Sequence, residues 1–176
     1  MSDYPDTVHI SEGTTMTFEP QVRIINVKGG ADGERLRTPT HWHEDHDEII
    51  TIREGKLKVT IGGEVKVYTP EDGDAFIPRC VPHSLESFKG VSSVFTERTN
   101  PTNFDKKELF FRNMAALGGL SKHSDLLPAM QALYHGDTYP VYPIHLAWLE
   151  KAVVKVLGNY LAPMLGHRMK YTNLRK

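Results

Sequence analysis

Residues 41–48 read His41-Trp42-His43-Glu44-Asp45-His46-Asp47-Glu48, and Gly55 follows Glu48 after six intervening residues. Downstream lies Pro78-Arg79-Cys80-Val81-Pro82-His83. Together these stretches supply three imidazoles and one carboxylate, from His41, His43, Glu48 and His83, a donor set suited to a transition metal. On a strand, side chains at i and i+2 share a face, so His41 and His43 can converge on one ion. Glu48 stands five residues after His43 and cannot share that face on a straight strand. The polar Glu44-Asp45-His46-Asp47 is therefore expected to bend. His83 must come from a distant strand, which a closed barrel arranges. His46 is an extra imidazole; it could replace a ligand, but a surface role is the expectation. His9, His123, His135, His145 and His167 show no partner pattern and read as structural or exposed.

Around this cluster, Thr14 to Arg98 has a β texture. Strands are expected at 22–27, 48–52, 56–61, 64–68, 74–77, 83–88 and 91–98. Leu57, Val59 and Ile61 alternate with Lys56, Lys58 and Thr60, the period of a strand with one wet face. Gly29-Gly30 with Asp32-Gly33, Gly62-Gly63 and Pro70-Glu71-Asp72-Gly73 are turn signals. Short, evenly spaced strands predict a sandwich or barrel. Residues 1–12 read as loosely attached.

After Asn100-Pro101 the pattern becomes helical. One helix is expected over 106–117, stopped by Gly118-Gly119. A second covers 124–135, capped by Ser124 or Asp125, with Pro128 in its first turn. A loop at 136–143 leads to a third helix over 144–161, whose apolar positions recur at helical spacing and predict burial. The expected division is an N-terminal segment at 1–13, a β-barrel at 14–100, and a helical C-terminal extension at 101–176 packed on it.

Bulk composition excludes several classes. The 176 residues suffice for one domain with a real core. Lys plus Arg number 21 against 22 for Asp plus Glu, so no charge excess argues for nucleic acid. The basic end from His167 to Lys176 reads as a solvated, frayed tail rather than a membrane contact. The single cysteine, Cys80, forbids an intramolecular disulfide. Absence of an apolar h-region near the N-terminus, and of a long apolar run, leads to the expectation of a cytoplasmic protein without a signal peptide or membrane span.

The spacing His41-x-His43, four residues, Glu48, six residues, Gly55 resembles the first motif of the cupin superfamily, with Arg35 where a leading glycine is usual. Gly73…Pro78…His83 resembles the second motif. There Gly73 precedes Pro78 by one residue fewer than the pattern, Cys80 replaces a glycine, and Ser87 replaces an asparagine. The resemblance covers residues 14–98, about half of the chain, and leaves the helical extension outside it. It implies a mainly β jelly-roll barrel, often a homodimer, with His41, His43, Glu48 and His83 as ligands to a divalent metal inside one end. Fe(II) or Mn(II) is favoured, with Ni(II), Cu(II) or Zn(II) as alternatives. Such an ion would keep two open positions if octahedral. Glu48, a ligand first, could shuttle a proton if it detached.

Functional expectations follow. The leading one is a metal-dependent enzyme acting on a small organic molecule, an oxidoreductase of dioxygenase type in small-molecule biosynthesis. Cupin decarboxylase, isomerase or cyclase chemistry is an alternative, because fold does not fix reaction. A non-enzymatic small-ligand binding or sensing module is the rival from another class, supported by the altered second motif and by the lack of an evident acid–base pair beside the ligands. Among other residues, Cys80 is expected to be buried and inert, Trp42 to be core or dimer contact, and Phe76 and Ile77 to be barrel core. Arg23 and Arg98 are expected to be exposed, although an inward arginine could hold a carboxylate. Tyr134, Tyr139, Tyr142 and Tyr160 are expected to pack on the barrel.

Overall fold

Alternating apolar runs become strands because a strand facing a core must present every second side chain to it. The computed structural model describes residues 4–29, 35–118 and 125–174. The expected turn residues Gly30 and Asp32-Gly33, the stop glycine Gly119, His123 and the cap candidate Ser124 lie outside them. The described strands are β1 (Thr7–Ser11), β2 (Thr14–Glu19), β3 (Val22–Val27), β4 (His41–Trp42), β5 (Asp47–Glu54), β6 (Leu57–Ile61), β7 (Glu64–Tyr68), β8 (Asp74–Ile77), β9 (His83–Glu86), β10 (Ser93–Asn100) and β11 (Tyr139–Pro140). They form two antiparallel sheets, ordered β1-β2-β3-β10-β5-β8 and β11-β4-β9-β6-β7. This is a mainly β jelly-roll. Its core includes Met16, Ile25, Ile50, Leu57, Ile77 and Phe95, contributed by both sheets.

Register places the donors. On β5, Glu48, Ile50 and Ile52 are buried while their alternates are half-buried, so Glu48 lies on the core-facing side. His41 on β4 pairs directly with His83 on β9, which brings two imidazoles from distant sequence side by side. The bend expected between His43 and Glu48 is present, since β4 ends at Trp42 and β5 begins at Asp47.

Several expectations are corrected. The N-terminal segment is not loose throughout, because Thr7–Ser11 pairs with β2 as an edge strand. The loop at 136–143 contains β11, which pairs Tyr139 with Trp42 and extends the second sheet. Phe76 points outward and is exposed, while Ile77 is buried. Arg23 is buried, not exposed, because β3 turns Arg23, Ile25 and Val27 inward together. Arg98 is exposed as expected and pairs with Asp74 at 2.8 Å.

The extension carries α1 (Phe104–Ala116), α2 (Leu126–His135), α3 (Ala147–Val154), a π-helical run (Lys155–Leu161) and α4 (Ala162–Met164). Asp125 occupies the N-cap of α2 without a side-chain capping bond, and Pro128 sits in its first turn. Burial expected for the third helix is overturned. Glu150 and Val154 face inward, while Leu146, Leu149, Val156 and Tyr160 are exposed. Glu150 takes the inner face because three groups there need an acceptor: the Trp42 indole N–H at 2.7 Å, the Tyr142 backbone N–H at 3.0 Å and His145 at 3.1 Å. Trp42 is buried as expected, stacked on Tyr139 with ring centroids 4.5 Å apart. Among the tyrosines, Tyr139 is buried, whereas Tyr160 is exposed. No described helix is long and apolar enough to cross a membrane.

The altered second motif is accommodated locally. Cys80 is exposed rather than buried, and its φ of 61° lies in the left-handed region that glycine favours. Its backbone N–H donates to the His43 carbonyl at 2.6 Å, so this strained turn holds the ligand stretch. Ser87, buried, accepts the Leu36 N–H on its hydroxyl at 2.9 Å. Cys80→Gly should remove the left-handed penalty and raise stability by about 0.5–1 kcal/mol, after the entropy that glycine adds to the unfolded chain. Urea denaturation measures this, and a loss of stability would contradict the strained geometry.

Candidate metal centre

His41, His43, Glu48 and His83 each present a donor atom, and these atoms lie within 4.8 Å of one another. All four sequence-predicted residues are therefore brought together. Orientation of the imidazoles has a common cause. His41 Nδ1 lies 2.8 Å from the Pro39 carbonyl, His43 Nδ1 2.6 Å from the Asp137 carbonyl, and His83 Nδ1 3.0 Å from the Val81 carbonyl. A carbonyl only accepts, so each Nδ1 carries the proton and each Nε2 is left for another partner. The buried His43 and His83 Nε2 atoms have no hydrogen-bond partner. They lie 3.6 Å and 3.1 Å from the two Glu48 carboxylate oxygens.

Electrostatics sharpen this. Burial, with the Lys107 charge nearby, lowers His43 to about 4, so it is neutral at pH 7. Burial and the neighbouring His83 and His43 hold His41 well below the ordinary imidazole value. Burial alone would raise the Glu48 carboxyl, and only positive charge on the His43 and His83 side draws it well below the usual range. The Nε2 lone pairs of His41 and His43 thus face the Glu48 carboxylate, an arrangement that a cation relieves. The donor set fits a divalent metal, with imidazole and carboxylate ligands of the borderline type.

His46 is corrected from a surface residue to a buried one. Its ring stacks on His43 with centroids 4.4 Å apart, and its Nδ1 lies 2.9 Å from Asp137 Oδ2. His43, His46 and Asp137 also bring donor atoms close together. Asp137, however, is already engaged. Its carboxylate accepts the Glu44 and Asp45 backbone N–H groups at 3.2 and 2.9 Å. Burial would raise that carboxyl, but the bonds from His46, Asp45 and Glu44 hold it below the usual range. Asp137 therefore fastens the bend between His43 and Glu48 to the extension, while its carbonyl orients His43. Such support of a ligand from behind is common in metal sites.

Sequence reasoning missed Glu97, Lys107 and Asp137, and expected Arg23 to be exposed. Glu97 on β10 and Arg23 on β3 are cross-strand partners joined at 2.6 Å. Glu97 and Lys107 line a cavity of about 210 Å³ together with His41, His43 and Glu48. Burial pushes Glu97 up to about 7 against the opposing Arg23 charge. Burial likewise lowers Lys107 to about 8, against the pull of Glu48 and Glu97. A signal existed for three of them: Arg23 alternates with Ile25, Glu97 alternates with Phe95, and Lys107 shares a helix face with Phe110 and Met114. The expected lack of an acid–base pair beside the donors is thus corrected.

A two-sheet β fold with four convergent donors inside it defines the class. Residues 26–90 match the family described as the cupin domain. The probable oxidoreductase yanE of Aspergillus niger is 25% identical over 164 residues, 85% of this chain and 62% of that protein, so the chain spans less than two thirds of this curated relative. Among solved structures, the polyketide cyclase RemF from Streptomyces resistomycificus is 22% identical over 51% of this chain and 66% of its own, with a TM-score of 0.40. An RmlC-like cupin from Shewanella frigidimarina is 21% identical over 53% and 80%, with a TM-score of 0.41. Likeness at this distance sets no constraint on substrate or reaction.

Asp137→Ala should lower stability by about 2–4 kcal/mol, because it leaves His46 and two N–H groups without their acceptor. Urea unfolding measures the loss. A change below about 0.5 kcal/mol, the range of surface substitutions, would contradict the fastening role.

Proposed function

We propose that this chain is a metal-dependent enzyme acting on a small organic molecule, an oxidoreductase of dioxygenase type in small-molecule metabolism. The observation that supports it is the set of three imidazoles and Glu48 facing one another, with His41, His43 and Glu48 in the wall of a mostly apolar cavity. His41, His43, Glu48 and His83 would hold Fe(II) or Mn(II), with Ni(II), Cu(II) or Zn(II) as alternatives. An ion held there would supply Lewis-acid polarisation and open coordination positions. The apolar wall excludes water and seats the substrate body. Glu97 and Lys107 line the same space and can give or take a proton at a substrate oxygen. Similarity to a probable oxidoreductase favours redox chemistry. A cytoplasmic location and a homodimer are further parts of the proposal, the latter carried by the family resemblance. Sedimentation at twice the chain mass is the expected result for the dimer.

A second reading, isomerase or cyclase chemistry without dioxygen, is favoured by the presence of Glu97 and Lys107 as proton-transfer groups in the cavity. Dioxygen uptake with turnover separates the two.

Protein purified without oxygen should contain a stoichiometric transition metal by elemental analysis. His83→Ala and Glu48→Ala should each lose most of it while remaining folded. Protein that carries no Fe, Mn, Ni, Cu or Zn, and takes none up on reconstitution, would overturn the proposal.

A further inference from the structure

Lys107 is a buried ammonium with too few partners. It comes from α1, outside the cupin-matched residues, and its side chain lines the cavity beside His43, Glu48 and Glu97. Nζ lies 3.4 Å from Thr138 Oγ1, a long contact. It lies 3.3 Å from His43 Nδ1, but that nitrogen already donates its proton to the Asp137 carbonyl and has no lone pair to offer. Among the described residues, no carboxylate forms an ion pair with Lys107; Glu48, Glu97 and Asp137 act on it only through space, and its other neighbour is the Phe110 ring, with its centroid 5.6 Å from Nζ. A buried charge with unsatisfied donors is costly, so something else is expected to meet it.

The charges around the cavity point to the sign of that partner. Lys107 and Arg23 balance Glu48 and Glu97, and Arg23 is spent on Glu97 at 2.6 Å. A divalent ion on the four donors would leave this balance two charges positive. Asp137 does not line the cavity, but its carboxylate acts on Lys107 through space and reduces that excess to one positive charge, which still calls for an anion. The remaining walls are apolar, including Ile25, Phe95, Phe110 and Leu133. Size is set as well. Apolar cavities of about 150 Å³ hold benzene, and this one, at about 210 Å³, has room for one ring with a small substituent.

We propose that Lys107 is the anion-binding residue of this cavity, and that its natural ligand is a compact monocyclic carboxylic acid. The ring packs among the apolar side chains and the carboxylate meets the Lys107 ammonium on the side of the four donors. This inference rests on the same cavity as the proposed metal enzyme and names its substrate class.

Isothermal titration calorimetry of the full chain with benzoate and with its neutral isostere benzamide tests it, in metal-free and Mn(II)-loaded protein. Benzoate should bind on the order of tenfold or more tightly than benzamide even without metal, the scale of a charge-assisted hydrogen bond. Lys107→Met should abolish that preference while leaving benzamide binding in place. Lys107→Gln, which keeps a polar but uncharged end, should do the same and serves if the methionine variant fails to fold. Equal binding of benzoate and benzamide by the wild type, or a preference that survives in a folded Lys107 variant, overturns the inference. Protein that takes up none of Fe, Mn, Ni, Cu or Zn yet prefers benzoate through Lys107 supports it while removing the metal proposal. Protein that takes up manganese but shows no carboxylate preference overturns it alone.

Discussion

Three histidine side chains are fixed from behind by backbone carbonyls, and that constraint organises the rest of the site. Pro39, Asp137 and Val81 each accept a proton from an Nδ1, which turns the opposite nitrogens of His41, His43 and His83 toward one another and toward Glu48. Mutual repulsion of lone pairs and a carboxylate inside a folded core is unfavourable in isolation. The sheets impose it through register, since β4 and β9 pair His41 with His83, and β5 sends Glu48 inward on the face of Ile50 and Ile52. A cation at the focus would turn the same repulsion into coordination.

One of the three carbonyls belongs to the extension rather than the barrel. Asp137 follows α2 and immediately precedes the segment leading into β11. It orients His43 through its backbone and ties down Glu44, Asp45 and His46 through its side chain. The buried Glu150 acts in parallel from α3 on Trp42, the residue between the two histidines. Lys107 from α1 reaches the same cavity. The helical segment therefore supplies part of the site's frame and part of its wall, which explains why its inner face carries Lys107 and Glu150 among apolar residues such as Phe110, Met114 and Val154.

What was legible in the sequence follows from distance along the chain. His41, His43 and Glu48 are close neighbours whose spacing encodes a strand, a bend and a second strand, and His83 stood in a recognisable second motif. Local alternation also gave most strands, because period two is a short-range signal. His46 was misjudged because its partner, Asp137, is far away in sequence and nothing nearby announces it. Arg23 and Glu97 were written in the alternation of β3 and β10, but each alone reads as an exposed charge; only their cross-strand pairing makes burial tolerable. The exposed face of α3 was misread because apolar spacing shows that a helix has a face without showing which face meets the body.

The most direct measurement is long-range proton–nitrogen correlation NMR of the imidazole rings, recorded on metal-free protein at neutral pH and again after Zn(II) is added as a diamagnetic probe. The geometry predicts that His41 and His43 are neutral with the proton on Nδ1, and that the Nε2 resonances of His41, His43 and His83 all move on metal addition. Protonated Nε2 atoms in neutral His41 or His43, or Nε2 resonances that stay in place when Zn(II) is present, would contradict a site built by aiming three lone pairs at one cation.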